Sequence, residues 1–264
     1  FGDEAKLLAG GHSLLPMMKL RFAEPRHLID LGGIAELKGI GEDGPTLVIG
    51  AMTTENEIIW SKLLEQKCPL LVEGARQISD PQVRYKGTIG GDIAHGDPGN
   101  DHPALMLALG ASFVLRGAAG ERTVAAQGFF RGTYDLDLAP TEILTQIRIP
   151  TPAAGTGYCY AKLKRKTGDF ATAAAAVLLR MNGDVVDDVR IALTNVAPTP
   201  LRATAAEDAL RGRKLDDAAM AEAARLAMSI CAPAADQRGD AEYKTAMAGE
   251  MTIRALATAR TRAA

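Results

Sequence analysis

Ala9-Gly10-Gly11-His12-Ser13 and, far downstream, Thr88-Ile89-Gly90-Gly91-Asp92 each set a Gly-Gly step among small residues with a hydroxyl close by. Consecutive glycines carry no Cβ and reach positive φ at little cost, so such a segment can aim its N–H groups at a ligand and approach it closely. Two of them read as a clasp on one diphosphate from both sides; the competing reading is a pair of tight turns between strands. Neither G-x-G-x-x-G after a strand nor G-x-x-x-x-G-K-S/T occurs, which excludes the Rossmann fingerprint and the P-loop.

Outward from these segments, the whole chain sets bounds. Its 264 residues fit two domains or one large one. A hydrophobic share of 47% and a charged share of 23% are those of an ordinary globular protein. A net charge of −2, with both signs interspersed, argues against a basic nucleic-acid platform. No apolar run reaches the roughly 18 residues that span a bilayer. Cys68, Cys159 and Cys231 are scattered and form no C-x-x-C, so a zinc knuckle, redox dithiol or iron–sulfur cluster is not expected in this chain. A reduced cytosolic setting is the simple reading. An apolar strand begins almost at Phe1, which leads us to expect residues ahead of it.

Local patterns place the segments. Lys6–Ala9 reads as a strand entering the first glycine loop, Ser13 as a cap, and Leu14–Leu20 as a short helix with Pro16 near its start. A run of N–H groups leading into a helix is a natural anion site. His27–Leu31 and Thr46–Ala51 read as strands. Thr53 or Thr54 caps a helix to about Ser61, with Glu57 completing a capping box with Thr54. Helices are expected at Pro69–Gln77 and Pro103–Leu109, and an antiparallel layer from Ser112–Arg116, Glu121–Ala125 and Glu142–Ile149. Pro and Gly make Thr151–Gly157 the linker. After it come strands near 158–166, 170–181 and 185–196, the last two joined at Asn182-Gly183. Ala171–Ala176 is awkward, since alanine favours helices; as a strand its small side chains leave room for something flat and bulky. Asp216–Cys231 and Asp240–Ala263 are helices whose Met220, Ala224, Met228, Tyr243, Met247, Met251 and Leu256 form a core stripe.

Several residues carry two readings. His12 is a ligand-loop residue or a turn filler. His95, His102, Asp97 and Asp101 have metal-ligand chemistry, but their Gly- and Pro-rich setting argues against a metal site. Lys162, Lys164, Arg165 and Lys166 read as a solvated strand edge that could also meet a cofactor or partner. Asp135, Asp137 and Glu142 read as surface acids, and Trp60 as a local packing residue.

Taken together, the chain resembles the medium, flavin-binding subunits of the molybdenum hydroxylases (the xanthine dehydrogenase superfamily), and among them those of the aerobic carbon monoxide dehydrogenases. Ala9-Gly10-Gly11-His12-Ser13-Leu14-Leu15-Pro16-Met17-Met18 and Thr88-Ile89-Gly90-Gly91-Asp92 carry the likeness. Gly96-Asp97-Pro98-Gly99-Asn100-Asp101, the stretch Lys162 to Ala173 and Glu242-Tyr243-Lys244-Thr245 extend it. The resemblance implies an α+β chain. Residues 1–155 would form a vanillyl-alcohol oxidase-like (PCMH-type) FAD-binding domain of two α/β lobes, and residues 156–264 a domain with a three-stranded antiparallel sheet and helices. FAD would lie between the lobes, its diphosphate against Ala9, Gly10, Gly11, His12 and Ser13 on one side and Thr88, Ile89, Gly90, Gly91 and Asp92 on the other. By the same resemblance Asp101 holds the adenosine side, Leu144 and Lys162 lie near the flavin ring and its ribityl edge, and Phe170 lies beside the isoalloxazine.

This chain has no catalytic residue of its own in that scheme. By the resemblance it would relay electrons from two 2Fe–2S clusters in a small partner subunit, which draws them from a molybdenum cofactor in a large one. A dimer of such three-subunit units is implied, in the cytoplasm and associated with the inner membrane through a quinone acceptor. Two departures stand out. Relatives usually have Asn where this chain has Asp92, and a carboxylate near a diphosphate is repulsive unless it is protonated, turned away or contributes only its N–H; the backbone contact is the expectation. Close relatives carry Tyr where Phe170 stands. Beside the carbon monoxide reading stand the same subunit in an aldehyde, xanthine or N-heterocycle dehydrogenase, and a scaffold module without FAD.

Overall fold

The computed structural model describes residues 1–264, except for the side chain of Asp3. β1 (Ala5–Leu8) leads through the first glycine segment into α1 (Leu14–Lys19) and pairs in parallel with β2 (His27–Asp30). This is the first lobe. Ser13 stands at the start of α1, but its side chain makes no capping bond.

The second lobe opens with the hairpin β3 (Ile40–Asp43) and β4 (Thr46–Gly50). Six helices follow: α2 (Glu55–Trp60), α3 (Lys62–Lys67), α4 (Pro69–Gln77), α5 (Pro81–Lys86), α6 (Ile89–His95) and α7 (His102–Leu109). β5 (Ser112–Gly117), β6 (Gly120–Ala125), the small hairpin β7 (Phe130–Gly132) with β8 (Asp135–Leu136), and β9 (Ile143–Pro150) complete it. β3-β4-β9-β5-β6 form one antiparallel sheet in that order. The expected capping box starts α2: the Glu57 N–H donates to Thr54 Oγ1 at 3.3 Å and the Thr54 N–H to Glu57 Oε2 at 2.7 Å.

The C-terminal part holds β10 (Gly157–Leu163), β11 (Ala173–Asn182), β12 (Val185–Thr194), β13 (Leu201–Arg202), α8 (Thr204–Leu210), α9 (Asp217–Ser229) and α10 (Ala241–Arg262). Asp216 and Asp240 cap the last two helices through the Ala219 and Tyr243 N–H groups. The expected three-stranded sheet has a fourth member, since two-residue β13 pairs along β12. So short a strand carries no sequence pattern.

The alanine-rich stretch is a strand because it is buried on both faces. Ala174, Ala176 and Leu178 join the core of the second lobe, while Ala173, Ala175, Val177 and Leu179 join the core under α9 and α10. Helices cover it on both sides, α7 on one and α10 on the other, and alanine lets both come close. Tertiary packing therefore overrides the intrinsic preference. What lies against the strand is helix, not a flat ligand. Most of the methionine stripe is buried as expected, but Tyr243 is exposed in the first turn of α10. Trp60 is 77% exposed rather than packed, because α2 turns Glu55 and Ile58 inward and Trp60 away.

Ala175→Val tests which force shapes β11. Strand propensity favours valine, whereas the closed packing against α10 forbids added volume. We expect a loss of about 1–3 kcal/mol in denaturant unfolding; a gain would mean that propensity governs.

Candidate cofactor site

The four glycines act mainly through close approach. A Cβ on Gly10 would collide with the Lys86 carbonyl oxygen, and one on Gly90 would sit 2.6 Å from the Ala51 oxygen. A Cβ on Gly91 would lie 3.4 Å from that of Ala9, so the two segments meet directly. Among the four only Gly11 has a positive φ, +76°. Together they wall a cavity of about 650 Å³, within the range of ordinary cofactor pockets.

The second segment is not a loop. It is the first turn of α6, capped by Thr88, whose side chain accepts from the Gly91 N–H. A double glycine hides such a helix, because each glycine costs about 1 kcal/mol there; contact with Ala51 overrides that cost. The clasp is consequently one-sided. The Ile89, Gly90 and Asp92 N–H groups donate to the carbonyls of Thr53, Ala51 and Thr88 at 3.0, 2.9 and 3.0 Å. The expected backbone donation from Asp92 is thus not available. Among the described residues, the N–H groups of Gly10, Gly11, His12 and Ser13 have no acceptor within the chain. That run, bent by Gly11, is a nest of donors suited to an anion.

All the expected cofactor residues except Ile89 line this cavity: Ala9 to Ser13, Thr88, Gly90, Gly91, Asp92, Asp101, Leu144, Lys162 and Phe170. Ile89 is fully buried in the core of the second lobe. His12 is exposed at the rim.

A layer of buried charge underlies the wall. Asp101 accepts from Tyr160 Oη at 2.5 Å and from Lys162 Nζ at 2.6 Å, with the Asp101 and Lys162 side chains 6% and 1% exposed. Lys162 is therefore no solvated edge; it ties β10 to the start of α7, and it also donates to the Gln77 carbonyl. Both Asp101 oxygens already have partners, so a ligand meets a fixed carboxylate. His102 Nε2 lies 2.8 Å from Glu55 Oε2. Burial opposes charge on His102, but Glu55, with Asp92 and Asp101, outweighs it and pushes the imidazole up to about 9. This pairing, rather than metal ligation, is what His102 does; His95 lies against Tyr134.

Asp92 is an unmatched member, as is the Nδ1 of His102. Asp92 lines the cavity, but its Oδ2 is buried without a partner. Glu55 from α2, Asp101 just before α7, His102 from α7 and Tyr160 from β10 surround it. Burial, with Glu55 and Asp101 adding and His102 opposing, pushes the carboxyl up to about 7. A carboxyl that holds its proton near neutrality relieves the repulsion expected beside a diphosphate. Glu55 and Tyr160 escaped the sequence reading: one looked like part of a cap and the other like an ordinary strand residue. Glu142 is likewise no free surface acid, since Arg122 grips it at 2.6 and 2.8 Å.

Residues 2–152 match the FAD binding domain in molybdopterin dehydrogenase, and residues 158–259 the CO dehydrogenase flavoprotein C-terminal domain. This chain belongs to the FAD-binding medium subunits of the molybdenum hydroxylases. The carbon monoxide dehydrogenase medium chain of Hydrogenophaga pseudoflava is 59% identical over 263 residues, covering 100% of this chain and 92% of that one. The solved carbon monoxide dehydrogenase from Hydrogenophaga pseudoflava lacking the Mo-pyranopterin moiety superposes with a TM-score of 0.98 at 62% identity, covering 100% of this chain and 92% of that one. The glyceraldehyde dehydrogenase medium chain of Sulfolobus acidocaldarius is 35% identical, covering 96% of this chain and 90% of that one. The residues present fit the family's FAD: a cavity of suitable size, a donor nest of four free amides, and glycines that keep side chains out of its wall.

Asp92→Asn gives a pH test. The carboxyl rises from an ordinary 3.8 to about 7, so the folded state keeps a proton that the unfolded chain releases. Wild-type stability therefore falls as pH rises through that window. The variant cannot lose the proton. Its stability relative to wild type should climb between pH 4 and 7 and level off above, in unfolding titrations at a series of pH values.

Proposed function

We propose that this chain is the FAD-carrying medium subunit of an aerobic carbon monoxide dehydrogenase. It takes electrons from two 2Fe–2S clusters of a small subunit, fed by the molybdenum cofactor of a large one, and delivers them to an external acceptor. The observation that carries this is the unengaged run Gly10 to Ser13 on the cavity wall. The identity of 59% to a carbon monoxide dehydrogenase chain, against 35% to a glyceraldehyde dehydrogenase chain, supports the substrate over aldehydes. Purines and N-heterocycles are the alternatives within the family. A scaffold that has lost FAD fits poorly with a donor nest and glycines kept intact.

Bound FAD supplies the chemistry of accepting and passing on electrons singly or in pairs. The protein's part is to hold it. The Gly10–Ser13 amides would donate to the diphosphate oxygens, charge-assisted hydrogen bonds being the strong kind. Asp101, fixed by Tyr160 and Lys162, would face the adenosine side. Leu144 would give an apolar floor and Phe170 a ring wall to the flavin, and Lys162 would stand at the ribityl edge. Gly90 and Gly91 give the wall its shape while Thr88 contributes a hydroxyl; Ile89 acts only by anchoring that turn in the core. The assembly would be a dimer of three-subunit units in the cytoplasm, meeting a quinone at the inner membrane face.

The assembled enzyme, purified and placed under carbon monoxide, should lose its flavin absorbance, while aldehydes and xanthine leave it unchanged. Reduction by those substrates and not by carbon monoxide would shift the reading to another hydroxylase. Gly11→Ala places an L side chain at a φ of +76°, with its Cβ 2.9 Å from Leu15 Cδ1. Strain of about 1–2 kcal/mol at the nest should weaken FAD binding about tenfold in equilibrium titration of the flavin-stripped enzyme.

A further inference from the structure

Phe170 stands over the cavity on a loop of the C-terminal domain, half exposed, and its Cδ1 lies 3.2 Å from where a Cβ on Gly99 would be. A guanidinium also lies beside the ring. Arg238 Cζ sits 5.4 Å from the ring centroid, inside cation–π range. That guanidinium is itself fixed: its Nη2 and Nε donate to Asp169 Oδ1 at 2.8 and 3.1 Å, and Nη1 to Asp236 Oδ2 at 3.4 Å. Asp169 also accepts from Arg165 Nε at 2.9 Å and, at 2.9 Å, from the backbone N–H of Phe170. Burial opposes the charge on Asp169, but the two arginines outweigh it and bring the carboxyl down to about 2. The far end is anchored by Lys244, a buried lysine that reaches Asp236 Oδ2 and the Ala234 carbonyl, both at 2.9 Å.

We propose that Arg238 is a positioning residue for the cofactor: latched to Asp169, it holds the Phe170 ring closed over the FAD pocket. The proposal rests on the FAD reading above. It joins the loop at 168–170, which lines the cavity, to the segment at 234–240, which does not. Charged hydrogen bonds at both ends of one guanidinium make the latch stiff. Arg suits this role better than Lys, because a planar fork can bind a carboxylate and face a ring at once.

The test is the rate of FAD release from the assembled enzyme, followed by the fluorescence of free FAD. Arg238→Gln should speed release about tenfold, as expected for loss of a contact worth a factor of that order. Phe170→Ala should release at least as fast. The decisive arm is the double variant, which should be no faster than Phe170→Ala, because Arg238 acts through the ring. Arg238→Lys keeps the charge without the fork and should fall between wild type and Arg238→Gln; where the glutamine variant does not assemble, the lysine variant carries the same cycle. Unchanged release, or additive acceleration in the double variant, overturns the proposal while leaving FAD binding intact. A wild-type enzyme that assembles without FAD overturns the site reading and this one with it.

Discussion

Everything at the cavity depends on one steric fact: two backbones touch where glycine stands. Gly10 rests on the Lys86 carbonyl and Gly90 on Ala51, so a side chain at Gly10 would push the lobes apart and one at Gly90 would push α6 away from the end of β4. The approach fixes the wall and leaves the Gly10–Ser13 amides, at the cavity, without an acceptor in the chain. The glycines are usually read as direct ligand contacts. Here their first task is protein against protein, and the ligand-facing donors are a consequence.

Behind the wall, charge is arranged so that little of it is left over. Glu55 answers His102, and Asp101 answers Lys162. Breaking such a buried pair by removing one partner costs about 3–5 kcal/mol, far more than a surface pair returns. The Asp101–Lys162 pair therefore does two jobs, joining the C-terminal sheet to the second lobe and presenting a fixed carboxylate to the pocket. Asp92, the odd charge, is the one free to answer an arriving anion by keeping a proton. β11, buried from both sides, gives the pair its rigid backing.

The legible parts of this molecule were those with strong local chemistry. The capping box at Thr54, the proline at the start of α4, the Asn182-Gly183 hairpin and the two long C-terminal helices all carry patterns that packing does not contradict. The short helices α3, α5 and α6 were not legible, since six or seven residues hold too few turns for periodicity, and α6 opens with two glycines. The exposure of Trp60 could not be read, because amphipathicity over a six-residue helix does not tell one face from the other. Of the site, the first glycine segment was legible from its residues, while Asp101 and Phe170 entered only through the resemblance. Glu55, Tyr160 and Arg238 were not legible, because their roles arise from long-range pairing that no short motif encodes.

The central claim is that a diphosphate is gripped by the amides of Gly10 to Ser13. Its most direct test is a competition titration of the flavin-stripped, assembled enzyme with FAD, FMN and ADP. The account predicts saturable FAD binding that ADP displaces and FMN, with a single phosphate and no adenosine, does not. Displacement by FMN as effective as by ADP would contradict it, because the grip would then lie on the flavin rather than on the diphosphate and its adenosine side.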